Sequence, residues 1–457
     1  MDSSWAGRKM MAHTAIKAQN RQLSIYIHWP FCLSKCPYCG FASKPMAPAV
    51  ARNPSIAKDV AEYLLLDLQR ELEQLERSSV FDTVHIGSSP HESIQVGGNI
   101  PTIVHGRDQR ETISNSRLCL GSIFFGGGTP SLMEPKFIEN IINFLCKKYS
   151  LNSSLEISLE ANPATFTGED LLDFRRAGIN RISLGVQSFF DANLQFLGRI
   201  YTAGQALLAA EMVAKIFTNF SFDFIYGYAE QTSGDLEKDL SIAIDFNCKH
   251  ISCYQLTYEE GTVFFAKLLS GDLRAMDEKH EVRLYNFIKN YLQTKGMLRY
   301  EVSNYAKPSY ECIHNINYWR YGDYLGIGPG AHSRLTIAGR KNEIAKTEDP
   351  KAWCKLLGKG DSARAYTRVL SAQEELAEML LMGLRLTEGI TLEAFDLRGL
   401  RQHIDNILKS EKVQFLVHRQ LMKKHPTKLQ LTANGLKKLD AIVEFLLENQ
   451  EIVPNIV

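Results

Sequence analysis

Six short apolar runs, most of them alternating with polar positions at period two, punctuate the chain: Ser24–Trp29 (SIYIHW), Ser122–Phe125 (SIFF), Leu155–Glu160 (LEISLE), Arg181–Val186 (RISLGV), Ser221–Tyr226 (SFDFIY) and His250–Leu256 (HISCYQL). Each is rich in β-branched and aromatic residues and reads as a strand. Between them, apolar residues recur at helical spacing over Ile56–Arg77, Pro135–Lys148, Gly168–Ala177, Ala203–Ile216 and Ser233–Phe246. A strand–helix repeat of about 30 to 40 residues predicts a parallel sheet, with its site at the carboxyl ends of the strands. Six strands suit an incomplete (β/α)6-type barrel rather than a closed eight-stranded one.

Two regions break this rhythm. Residues 79–117 hold Gly97-Gly98-Asn99 and scattered Ser, His and Pro with neither period, which predicts a mobile surface insertion. Its histidines (His85, His91, His105) are spaced as in a solvated loop rather than a metal site. After Asp349, two amphipathic helices, Ser371–Leu386 and Thr432–Glu448, flank a shorter charged one. That pattern predicts a small, mainly helical, winged-helix-like domain over 350–457, following an α/β unit over 23–349. Residues 1–22 lack the apolar stretch of a secretory signal and read as a disordered leader.

Composition narrows the classes. The chain has 457 residues, 45% of them apolar, with 52 Lys+Arg against 51 Asp+Glu. This is globular composition, and the balanced charge offers no global attraction to nucleic acid. No apolar run is long enough to span a membrane, which leaves peripheral contact as the only membrane association expected. Nine cysteines, an odd number, are unlike a secreted disulfide framework and point to a reducing compartment, read as the cytoplasm.

The chemistry concentrates directly after the first strand. Cys32, Cys36 and Cys39 stand at C-x3-C-x2-C in WPFCLSKCPYCGF. Three thiolates from one loop can hold a [4Fe–4S] cube and leave its fourth iron open. Structural zinc generally takes four ligands, and no fourth Cys or His follows at zinc-site spacing. Phe125-Gly-Gly-Gly-Thr-Pro-Ser131 follows the second strand, and its glycines permit close backbone approach to a ligand. Glu160 (LEANP), Gln187 (GVQSF), Arg199 (LGRIY) and Asp223 (FDFIYG) each stand on a strand or the loop after it, where a cap or a surface charge is an equally simple reading.

Together these motifs resemble the radical S-adenosylmethionine (SAM) superfamily. The resemblance implies that Cys32, Cys36 and Cys39 hold a [4Fe–4S] cluster and that SAM chelates its open iron. One electron from the cluster then cleaves SAM to methionine and a 5′-deoxyadenosyl radical. It further implies that Gly127, Gly128 and Thr129 meet the methionine amino group. Glu160, Gln187, Arg199 and Asp223 are implied to bind the rest of SAM, with Tyr26 and Tyr38 lining the site. The likeness is greatest to the branch that contains the oxygen-independent coproporphyrinogen III oxidase HemN and the haem chaperone HemW. It spans roughly residues 23–450 apart from the insertion.

Two features separate the members of that branch. The oxidase pattern has a further cysteine two residues past the third ligand, where this chain has Phe41. His314-Asn-Ile-Asn-Tyr-Trp319 matches the HNxxYW motif of the HemW side and implies haem binding by His314, Asn315, Tyr318 and Trp319. A neutral imidazole can ligate haem iron, and aromatic faces can pack on a macrocycle. Cys312 is a competing thiolate ligand, and His332 is either structural or pocket-facing. The resemblance thus implies a haem chaperone that passes haem to acceptor apoproteins, respiratory ones among them, with an electron donor for the cluster. The alternative is the oxidase, which decarboxylates two propionates by radical chemistry; whether SAM is cleaved stays open. One departure stands near the SAM loop, where the family's GLPGQT reads Gly227-Tyr-Ala-Glu-Gln-Thr232 and brings extra bulk.

Overall fold

The computed structural model describes residues 22–46, 55–80, 119–149 and 155–448. The expected leader and nearly all of the 79–117 insertion lie outside the described residues. Six strands run parallel in chain order: β1 (Gln22–Trp29), β2 (Cys119–Gly127), β3 (Glu156–Ala161), β4 (Arg181–Gln187), β5 (Phe220–Tyr226) and β6 (His250–Gln255). Helices α1 (Ser55–Val80), α2 (Pro135–Lys148), α3 (Gly168–Ala177), α4 (Ala203–Ile216) and α5 (Ser233–Asp245) lie between them.

Short polar caps start several of these helices. Thr167, Thr202 and Thr232 each accept from the third helical N–H, and Asp170, Gln205 and Asp235 answer on the cap N–H. These reciprocal pairs satisfy two otherwise orphaned donors per helix.

The sheet continues beyond the six strands. β7 (Leu298–Arg299) and β8 (Asn304–Ala306) extend it past β6, with β8 antiparallel to β6. On the other side β9 (Asp323–Ile327) pairs parallel with β1, followed by antiparallel β10 (His332–Ile337), β11 (Arg340–Lys346) and β12 (Arg364–Val369). The order is β12-β11-β10-β9-β1-β2-β3-β4-β5-β6-β8-β7, an open sheet of twelve strands. The glycine-flanked stretch Asp323–Ile327 thus supplies a seventh parallel strand.

Alternation along the strands sorts the two faces. On β1, Leu23, Ile25, Ile27 and Trp29 join the apolar core under the helices, while Ser24, Tyr26 and His28 face inward. Each of the six parallel strands places one buried serine off that core: Ser24, Ser122, Ser158, Ser183, Ser221 and Ser252. The inner face is therefore polar although it is buried.

Residues 350–369, expected to begin the C-terminal domain, pack with the sheet instead. The helix Pro350–Lys359 sets Trp353 against Tyr63 of α1, at 6.5 Å between ring centroids, and β12 completes the sheet edge. A separate apolar cluster, from Leu376 to Leu447, forms the helical C-terminal part with a small three-stranded sheet. The two parts are joined by polar contacts: Arg398 donates to Thr336 Oγ1 and to the Tyr321 carbonyl, and Arg334 to Glu378.

Candidate functional site

The site sits where β1 to β5 end. The glycine run after β2 packs directly on the loop that carries the cysteines. A Cβ on Gly127 (φ +115°) would fall 2.7 Å from His28, and one on Gly128 would fall 2.6 Å from the Phe31 carbonyl oxygen. Only glycine allows this contact, which Gly128 N–H seals by donating to the Trp29 carbonyl at 2.7 Å. His28 in turn joins Tyr26 Oη (3.1 Å) and the Ala42 carbonyl (3.1 Å), tying the strand to the far end of the cysteine loop.

Cys32, Cys36 and Cys39 are all partly exposed on this loop, and Cys39 N–H donates to the Cys36 carbonyl. The Cys32 thiol is pushed up chiefly by burial; the Thr129 and Ser43 hydroxyls oppose that shift, and nearby Cys39 and Cys36 add to it. Three soft donors within electrostatic reach of one another fit an iron–sulfur cluster. Among the described residues, no three or more His, Cys, Asp or Glu already stand as a closed metal site.

Around the loop, most of the expected SAM residues converge. Arg199 hydrogen-bonds Tyr38 Oη and also lies over its ring, 5.6 Å from the centroid. The same guanidinium reaches Asn162 Oδ1 at 3.4 Å, and Asn162 Nδ2 donates to Thr129 Oγ1 at 3.1 Å. Cys36, Thr129, Asn162, Arg199 and Tyr201 line one cleft at the mouth. Glu160 accepts from Gly127 N–H at 3.1 Å. Burial of its carboxyl, reinforced by the Asp223 charge, pushes Glu160 up to about 8. Asp223, also raised by burial, accepts from Ser183 Oγ (2.8 Å) and Ser221 Oγ (3.1 Å). Gln187 lies buried at the end of β4, its amide folded over Gly185 toward Asn162. This arrangement offers carboxylates and amides to a cationic, hydroxyl-bearing ligand beside three thiols.

The bulk expected near Gly227 does not enter this cleft. Tyr228 packs on Phe196, 5.2 Å between centroids, in a small cluster with Leu197, Ile225, Leu256 and Phe264. Gln231 closes the loop by accepting from Gly227 N–H and donating to Tyr228 Oη.

The HNINYW segment forms a short helix, α6 (Ile313–Trp319), packed beside β2 and β9. It does not gather all four expected haem residues. His314 is buried on the inner face, its Nδ1 2.8 Å from Ser122 Oγ and its ring stacked on Phe124 at 4.9 Å. Tyr318 meets its edge at 4.8 Å, and Tyr26 lies at 6.2 Å. Among the described residues, His314 Nε2 is buried without a hydrogen-bond partner. Burial, and then the Arg181 charge, hold the imidazole neutral by lowering it to about 3. Trp319 instead lies under the Arg385 guanidinium, 4.5 Å from its centroid. Asn315 is half-buried near the helix start. Cys312 is fully buried, directs its thiol at Glu156, and is pushed up to about 12 mainly by burial. His332 is partly exposed on β10, and burial lowers it.

Sequence reasoning passed over Asn162, His28, Arg181 and Asp239. Asn162 stands in the same EANP run as Glu160, the inward serines mark the strands whose polar face His28 and Arg181 share, and Asp239 lies on α5.

A family model of the radical SAM superfamily matches residues 108–243, and one of the HemN C-terminal domain matches 370–436. The heme chaperone HemW of Haemophilus influenzae is 33% identical over 94% of this chain and 98% of its own length. HemW of Escherichia coli is 34% identical over 72% and 75%. A Bos taurus protein named radical S-adenosyl methionine domain-containing protein 1, mitochondrial, is 31% identical over 94% and 88%. Among solved structures, Escherichia coli coproporphyrinogen III oxidase (HemN) covers 96% of this chain and 93% of its own, with TM-score 0.66 at 18% identity, a likeness of fold.

Proposed function

Because the chain belongs to the HemW branch of the radical SAM family, we propose that it binds haem and delivers it to acceptor apoproteins. In this reading it also carries a SAM-coordinated [4Fe–4S] cluster on Cys32, Cys36 and Cys39. The observation that carries the haem reading is the sealed, neutral His314 with a free Nε2, framed by Phe124, Tyr318 and Tyr26. A buried nitrogen without a partner costs stability unless a ligand uses it. Neutral imidazole is the form that ligates iron.

Tyr38, Arg199, Asn162 and Thr129 would orient SAM, and Glu160 and Asp223 would meet its polar groups. When bound, the reduced cluster supplies the single electron that SAM cleavage requires. An electron donor is therefore a partner in this reading. Among the described residues no helix is long and apolar enough to cross a membrane. We read the compartment as the cytoplasm, and the mitochondrial name of the Bos taurus relative makes the mitochondrion the alternative that fractionation decides.

Phe41, 71% exposed where the oxidase pattern has a cysteine, weighs against porphyrinogen oxidation. The test is anaerobic incubation of the reconstituted protein with SAM, reductant and coproporphyrinogen III. Unchanged porphyrinogen is expected, and accumulation of protoporphyrinogen would replace the chaperone by the oxidase.

A further inference from the structure

Gln187 has an unusual backbone. Its φ is +60°, in a region that non-glycine residues rarely occupy, and it stands where the β4–β5 register breaks. Ser188 N–H donates to the Val186 carbonyl at 2.7 Å, so Gln187 is the centre of a three-residue turn. Turns of this hand are strained and persist only where their surroundings hold them.

The surroundings hold this one from both sides. Upstream, Tyr201 Oη donates to the Gly185 carbonyl at 2.7 Å and reaches the Val186 carbonyl at 3.3 Å. Downstream, Asp239 on α5 takes Phe189 N–H on Oδ1 (2.6 Å) and Ser188 Oγ on Oδ2 (2.8 Å). Ser188 Oγ itself accepts from Phe190 N–H and Asn193 Nδ2. Gly185 leaves the space that the folded side chain needs: a Cβ there would fall 2.8 Å from Gln187 Nε2 and 3.0 Å from Asn162 Oδ1.

Asp239 is 2% exposed and forms no salt bridge among the described residues. A buried carboxylate without a cation is costly, and its hydrogen bonds are all spent on the two residues after Gln187. We infer that Asp239 is a positioning residue: by clasping Ser188 and Phe189 it keeps the strained turn closed and sets the Gln187 amide toward the SAM cleft. This rests on the reading that Gln187 contacts SAM.

A double-mutant cycle on the reconstituted, cluster-loaded protein tests it, with SAM affinity and iron content as readouts. Asp239→Ala and Gln187→Ala should each weaken SAM binding about tenfold, and the double variant should be no weaker than Gln187→Ala alone. Asp239→Asn keeps an acceptor for Phe189 N–H and should recover most of the affinity. If Asp239→Ala unfolds, Ser188→Ala replaces it in the same cycle. Multiplying losses in the double variant, or wild-type affinity in Asp239→Ala, would overturn the inference. So would wild-type affinity in Gln187→Ala; if Asp223→Asn then still weakened binding, the SAM reading would stand without it. A wild type that binds no SAM would overturn both.

Discussion

The mouth and the floor of the inner face are built from the same strands but differ in access. At the mouth, the cysteine loop, Tyr38, Arg199 and Asn162 are partly exposed and already bonded to one another. A ligand can enter there from solvent while those bonds hold its partners in place. At the floor, Arg181, Ser158 and His314 are sealed, and among the described residues Arg181 Nε, Ser158 Oγ and His314 Nε2 have no hydrogen-bond partners, a condition that Arg199 Nε shares at the mouth. Each such atom costs about 1–3 kcal/mol. One sheet therefore supports a preorganised entrance and a tensioned interior.

The largest expected effect lies at the mouth. Replacing Cys32, Cys36 or Cys39 by Ala should abolish the four-iron signal after anaerobic reconstitution, whereas His314→Ala should keep the full iron content. Cluster loss in His314→Ala would erase the distinction between the two regions.

At the floor, Glu156 Oε2 lies 3.9 Å from Arg181 Nε, with both side chains nearly fully buried. Arg181→Met leaves a buried carboxylate unpaired and should cost about 3–5 kcal/mol in denaturant unfolding. Adding Glu156→Gln should recover part of that loss. Asp223→Asn should weaken SAM binding about tenfold, or ~1.4 kcal/mol, without loss of iron; unchanged affinity would remove Asp223 from the site.

The subtlest prediction concerns pH. Glu160 is raised from 4.5 to about 8 by burial and then by Asp223, so the folded protein holds this proton more tightly than the unfolded chain. Its contribution to stability is full below pH 4.5 and is lost as pH rises toward 8. Glu160→Gln should flatten that part of the stability profile, and an unchanged slope would place the titration elsewhere.

Much of this was legible because period-two alternation is local. Six of the seven parallel strands and the three-cysteine loop follow from short stretches of sequence. β9 was not legible, since DYLGI is brief, flanked by glycine, and pairs with β1 some 300 residues away. The pairing of β12 with β11 was not legible for the same reason, since it is made only in three dimensions. Asp239 reads in sequence as one more helix-surface acid, and only the fold buries it against Ser188. The HNINYW run showed which residues to examine but not that His314 and Trp319 face different neighbours, because five residues along a helix turn them about 140° apart.

The most direct test of the haem reading is an anaerobic titration of the reconstituted protein with haem, followed by its Soret band, beside His314→Ala. Saturable, one-to-one binding that the substitution weakens is the predicted result. No saturable binding by the wild type, or binding that ignores the substitution, would contradict a haem site built on His314.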